Sequence, residues 1–319
     1  MASRTRSGKS HLKTHNKIRK GYAGSLLEGF VRASQNLELV QEINDEAIAR
    51  LSELSSDTND TISGGNILTL VFPLWQLSNV FQRSCVSRLI SAEYDLAYQD
   101  AVNACLTMLV MHRIEVTGRL ALPKDVNQHP RKWNGIPLVL AFCLSMSLER
   151  KEESKFLYRM VKLLLSPQPN MVNAIYTIND YFILPSFCVD FFESVYMQQP
   201  PSLPADNPYR PLLASLESSE AVFSSALTDA CEYHIANSRD NNNQRSFEFD
   251  ATFFRVYPAE ILMTVSARRS RNLPITVPKN RITQLPTFFI FERTTVIVDN
   301  IIQTILDRIN ATEDIFSAY

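Results

Sequence analysis

Apolar positions along this chain recur mostly at three- and four-residue spacing, the period at which side chains share one face of an α-helix. Leu37, Val40, Ile43, Ala47, Leu51 and Leu54 form the first such row, closed by a polar, glycine-bearing break over residues 57–65. After an apolar stretch at 67–77, Ser91 is suited to an N-cap, with Glu93 and Asp95 in the first turn, where carboxylates favour the positive helix end. Tyr94, Ala97, Tyr98, Ala101, Cys105, Met108 and His112 then form a stripe that ends near Gly118 and predicts a broad-faced, central helix. Residues 123–134 read as a loop, and helices are predicted over 136–148 and 152–165, the second stopped by Ser166-Pro167-Gln168-Pro169. Residues 171–196 predict two short helices interrupted at Pro185.

The second half is punctuated more strongly. Pro200, Pro201, Pro204, Pro208 and Pro211 exclude a helix interior over 198–211 and predict a linker or an extended surface loop. It divides the chain into an N-terminal helical lobe (21–197) and a C-terminal one (212–319), which could pack as one domain. Helical spacing resumes at Val222, Phe223, Ala226, Leu227 and Ala230, and 239–245 reads as an exposed polar loop. Pro258 suits a first helical position, with Glu260 one turn in, Arg268 and Arg269 in the last turn and Leu273-Pro274 as the stop. Val298, Ile301, Ile302, Ile305 and Ile309 predict a closing helix. Only 247–254 and 287–291 alternate as strands do. The expected fold is mainly α, a multi-helix bundle or irregular α-array with few or no strands and no internal repeat.

At 319 residues with 45% hydrophobic content, the chain can bury a large core or two fused ones. Its most apolar runs, 67–77 and 135–148, are shorter than the ~18–20 residues of a membrane helix and read as buried helices. A net charge of −1 argues against a globally basic nucleic-acid binder. That balance hides an asymmetry: Arg4, Arg6, Lys9, Lys13, Lys17, Arg19 and Lys20 face no acid within residues 1–20, which leaves −8 on the rest. The tail is too polar to bury a core and reads as a disordered, solubilising extension. It could also touch phosphate or an anionic membrane surface, and it shares an acid-poor, Arg- and Ser-bearing character with transit peptides. No apolar segment of signal-peptide type follows it. Cys85, Cys105, Cys143, Cys188 and Cys231 are odd in number and widely spaced, which predicts reduced, buried thiols and a cytoplasmic protein.

Candidate chemistry is sparse. His112 and Glu115 form a helical H-x-x-E pair that could face one ligand, but the second such motif and the two further glutamates of a di-iron bundle are missing, so a hydrogen-bonded core histidine is preferred. Cys231 and His234 have zinc-type spacing without a second pair; the plain reading is a buried Cys and a half-exposed His on one helix. Ser7-Gly8-Lys9-Ser10 imitates the end of a phosphate loop, but Ser3 stands where its glycine belongs. No catalytic, cofactor or metal residue is assigned. Trp133, beside Arg131 and Lys132, could be an exposed anchor for a partner or pack over the helix that begins near Ile136. Arg268 and Arg269 could meet an acidic partner surface, although the helix dipole already accounts for them.

Two segments carry a family resemblance. One is Trp133 followed by an apolar helix ending in Leu148-Glu149-Arg150; the other is Phe254-x-x-Tyr257-Pro258-Ala259-Glu260-Ile261-Leu262, followed by basic residues, Leu273 and Pro286. Together they resemble the helical immunity proteins of bacterial polymorphic toxin systems, the Imm49-like group, over about a quarter of the chain. The resemblance implies a cytosolic helical protein that neutralises a cognate toxin by contact, with no catalytic residue to carry over. The expectation is therefore a non-enzymatic protein-binding protein without a cofactor. Two alternatives stay open: an enzyme assembled from distant residues around His112 and Glu115 or Cys231 and His234, and an adaptor that acts through the basic tail.

Overall fold

A computed structural model describes residue 49 and residues 68–120, 132–242, 244–285 and 298–310. The basic tail, the six apolar positions from Leu37 to Leu54, Arg131 and the strand candidate at 287–291 lie outside the described residues. Among those described, eleven α-helices and one two-stranded sheet make a mainly α fold.

A short 3-10 turn, Leu68–Leu70, leads into α1 (Val71–Ile90), which turns back as α2 (Tyr94–Leu120). The pairs Arg88–Asp100 and Gln82–Met108 run in opposite sense along the two helices, so they form an antiparallel hairpin. Ser91 does not begin α2 as its residue type suggests; it ends α1. Ala92, at φ 60°, occupies the left-handed position that reverses the chain, and Ala92 N and Glu93 N bond back to Leu89 O and Arg88 O. Glu149 and Asn272 end two later helices in the same way, with Glu149 N on Met146 O and Asn272 N on Arg269 O.

Across residues undescribed from 121 to 131, the chain resumes at β1 (Trp133–Asn134) and enters α3 (Ile136–Ser147) through Pro137 in its first turn. Helix α3 is apolar on every side and accordingly lies in the centre, packed on α2, on α4 (Lys151–Leu165), on α6 (Leu184–Tyr196) and on α10 (Ala259–Ser270). Helix α4 is amphipathic: Leu157, Met160, Val161 and Leu164 face the core, while Lys151, Lys155, Arg159 and Lys162 face water. Asn170 and Asn173 cap α5 (Met171–Ile175) reciprocally, and β2 (Tyr176–Thr177) follows at once. Strands β1 and β2 pair in parallel, Trp133 opposite Tyr176.

Pro185 starts α6 instead of interrupting a helix, because a proline in the first turn forfeits no intrahelical bond. The free N–H groups of that end are met by Glu248 Oε1, which accepts from Ile183 N at 2.6 Å and Leu184 N at 2.7 Å. The proline-rich segment is fastened to α6 by Asp190, whose carboxylate accepts from Ser202 N, the Ser202 hydroxyl and Leu203 N. Leu203 is buried beside it. Then come α7 (Arg210–Ala214), α8 (Glu220–Asn237), α9 (Thr252–Val256), α10 and α11 (Asn300–Asn310). The strand candidate at 247–254 is not a strand. Phe249 N bonds to Asn237 O and Phe247 N to the Asn241 side chain, and the last residues enter α9. One connected core of buried side chains extends from Leu70 to Ile305 and draws on both sides of the proline-rich segment.

Gly135 is needed for space. Its N–H donates to Thr177 O at 2.7 Å, and a Cβ there would sit 2.8 Å from Leu164 Cδ2 and 3.2 Å from Thr177 O. Gly135→Ala is expected to cost about 1–2 kcal/mol through overpacking. Urea unfolding followed by circular dichroism checks this; unchanged stability would mean that the strand pair yields freely.

Candidate functional site

The H-x-x-E pair of α2 does converge, but on a tyrosine. His112 and Glu115 project from one face of α2 towards Tyr176, which the β1–β2 pairing holds against that helix. The Tyr176 hydroxyl donates to Glu115 Oε2 at 2.5 Å and, having one hydrogen, accepts from His112 Nδ1 at 3.0 Å. All three residues are buried. Burial lowers the His112 pKa to about 4, so the ring is neutral at neutral pH; burial raises the Glu115 carboxyl, against the opposing effects of the Tyr176 hydrogen bond and Arg119. His112 Nε2 has no hydrogen-bond partner of regular geometry, and the Pro137 carbonyl offsets the burial effect only in part.

The C-x-x-H pair of α8 separates. Cys231 is fully buried and its thiol is pushed up by desolvation, with Glu260 and Glu232 acting in the same direction. His234 is fully buried rather than half-exposed: Nδ1 meets Glu260 Oε1 at 2.6 Å and Nε2 meets Arg255 O at 3.3 Å. The Tyr209 hydroxyl also reaches Glu260 Oε1 at 3.3 Å, and Tyr233 donates to Glu248 Oε2 at 2.7 Å. The C-terminal helices thus enclose a polar network whose members satisfy one another. Among the described residues no group of three or more His, Cys, Asp or Glu side chains could hold a metal ion. Neither histidine faces a solvent-reachable substrate position; both are built into the interior.

The expected partner contacts divide sharply. Trp133 is 53% exposed, with the Arg119 guanidinium 5.7 Å from its ring centroid. It stands out from the sheet rather than packing down over α3. Neighbouring Lys132 is exposed and donates to Asn173 O at 2.7 Å, which ties the start of β1 to α5. Arg269 is half-buried, and desolvation lowers its pKa. Arg268 is unavailable to a partner: it is 0% exposed, and its guanidinium is enclosed by backbone carbonyls and the Phe223 ring. Arg131 is outside the described residues.

Sequence reasoning missed Tyr176 and Glu248 and read Glu260 only as a helix-start carboxylate; each is brought to its partner from another part of the chain. It also missed the second exposed aromatic group, Phe72 and Trp75 on the first turn of α1, which stack at 5.8 Å with both rings in solvent. Their i, i+3 spacing was the available signal. No described helix is long and apolar enough to cross a membrane. No protein-family model matches the chain, no curated protein matches it, and no solved structure matches it.

Proposed function

We propose that the protein is a cytoplasmic, non-catalytic binding protein of immunity type, which neutralises a cognate bacterial toxin by covering its active site. The observation that carries this reading is Trp133: a large aromatic side chain held out in solvent by a strand pairing, a glycine fit and an overlying guanidinium. Rigid, exposed Trp and Arg side chains are the residues that concentrate binding energy in protein interfaces. A specific interface would bury ~1,200–2,000 Å² around such an anchor. The charge of −8 on the chain beyond residue 20 would steer a basic partner such as a nuclease toxin. His112, Glu115 and His234, the residues an enzyme reading needs, make their hydrogen bonds inside the core, which fits a scaffold role for them.

The test pairs the purified protein with the product of the gene beside its own, by size exclusion and calorimetry. A one-to-one complex is expected, with Trp133→Ala weakening it at least tenfold while the circular dichroism spectrum stays unchanged. No binding at micromolar concentration would remove the immunity reading; full binding by the alanine variant would remove Trp133 as its anchor.

A further inference from the structure

Cys143, in the middle of α3, and Cys188, in the second turn of α6, are both fully buried, and their Sγ atoms lie 3.0 Å apart. All five cysteines are free thiols, and no other pair of them makes a thiol–thiol contact. A disulfide holds its sulfurs at about 2.05 Å, so closing this pair asks for only about 1 Å of approach. The two helices pack directly on each other, and α6 is pinned at its start by Glu248 and beside Cys188 by the Asp190 clasp on Ser202. The sulfurs are therefore held in register by the fold itself and not by flexible loops.

We propose that Cys143 and Cys188 form an oxidative modification site, at which a small hydroperoxide converts the dithiol into a disulfide that ties α3 to α6. Cys188 is the attacking thiol. A hydrogen bond donated by the Cys143 S–H across the 3.0 Å contact favours its thiolate, against desolvation and the Glu260 and Glu248 charges. Its sulfur takes one oxygen of the hydroperoxide and becomes a sulfenic acid, while the other oxygen leaves with the thiol proton as water or an alcohol. The Cys143 sulfur then displaces the hydroxyl from the sulfenic sulfur, and that hydroxyl departs as water with the Cys143 proton. In sum two thiols lose two protons and two electrons; the O–O bond accepts the electrons and its two oxygens take the protons. Desolvation raises both thiols, so reaction is slow and confined to a small, uncharged oxidant that can enter the core. The same enclosure shields the finished bond from thiol reductants.

The full chain, reduced and folded, is exposed to hydrogen peroxide, alkylated and mapped by mass spectrometry without reduction. The expected product is one internal link between the Cys143 and Cys188 peptides, lighter by two hydrogens. Because it joins positions 45 residues apart, the linked protein should show a fraction unfolded in urea lower by on the order of a hundredfold. Cys143→Ala and Cys188→Ala should each abolish both effects. Absence of the link in folded wild-type protein, pairing with Cys85, Cys105 or Cys231 instead, or a linked protein no more resistant to urea each overturns the proposal. The wild-type map decides it even if an alanine variant does not fold.

Discussion

Arg268→Ala is expected to destabilise the protein by about 3–5 kcal/mol, from hydrogen bonds to a charged group at about 1.5–3 kcal/mol together with the cavity left by a large buried side chain. Nη1 of this side chain donates to Ser215 O at 3.2 Å, Leu216 O at 3.1 Å and Ser218 O at 2.9 Å; Nε and Nη2 converge on Pro274 O at 3.3 and 2.8 Å. Its guanidinium lies 4.5 Å from the Phe223 ring centroid. One side chain thus supplies the donors for the turn between α7 and α8 and for the chain leaving α10. Alanine would leave the buried Leu216 carbonyl without a donor, leave Ser215 O with only its backbone partner Ser218 N, and open a cavity over Phe223. Arg268→Lys should fall in between, since an ammonium cannot reach both groups of carbonyls from one position. Urea unfolding followed by circular dichroism measures both variants. A loss below about 1 kcal/mol for alanine would show that water replaces the guanidinium and that the enclosure is loose.

Asp100→Asn is expected to stabilise the protein at pH 7.5 and to do little at pH 4. Asp100 lies in the α1–α2 contact, where burial raises its pKa to about 6 from 3.8, against the Ser84 hydrogen bond and the Arg88 charge. A carboxyl with a raised folded pKa contributes stability that is fully present below its unfolded pKa and lost as pH rises through the folded one. That rise corresponds to about 3 kcal/mol, an upper figure for what the amide can recover above pH 6. His112 works in the opposite direction: lowered to about 4 from 6.5, it contributes stability present above 6.5 that is lost as pH falls through 4. The Asp100 and His112 slopes oppose between pH 4 and 6.5, while Glu115, Glu248 and Asp250, all raised by burial, add to the Asp100 direction, so Asp100→Asn should shift the profile by the Asp100 slope alone. Urea midpoints at pH 4, 5, 6 and 7.5 test this. Equal gains at pH 4 and 7.5 would show that the benefit is packing and not charge.

Helical period made most of the architecture legible in advance, because α2, α3, α4, α8, α10 and α11 carry their apolar rows in continuous sequence. Helix ends were harder. Four of them stop on Ala92, Glu149, Gln198 and Asn272 in left-handed backbone, none of them a glycine, and the first of these misplaced the start of α2. The pairing of β1 with β2 was invisible because each strand has two residues, too few for alternation to register. The chemistry failed for a different reason. His112 and Glu115 were correctly placed on one face, but their meaning depends on Tyr176, more than sixty residues away, and that of His234 on Glu260. Arg268 was assigned to the surface because its helix-terminal position explained its charge; the returning chain that covers it follows from Asn272 and Pro274, which local rules read only as a stop.

The placement of the two tryptophans governs how this molecule can be watched. Trp75 and Trp133 are the only indoles in the sequence, and they are 51% and 53% exposed. Their emission already reports water in the native state, so fluorescence at long wavelength changes little when the chain unfolds and would understate its cooperativity. The same placement makes indole emission a sensitive optical readout of anything that settles over either ring.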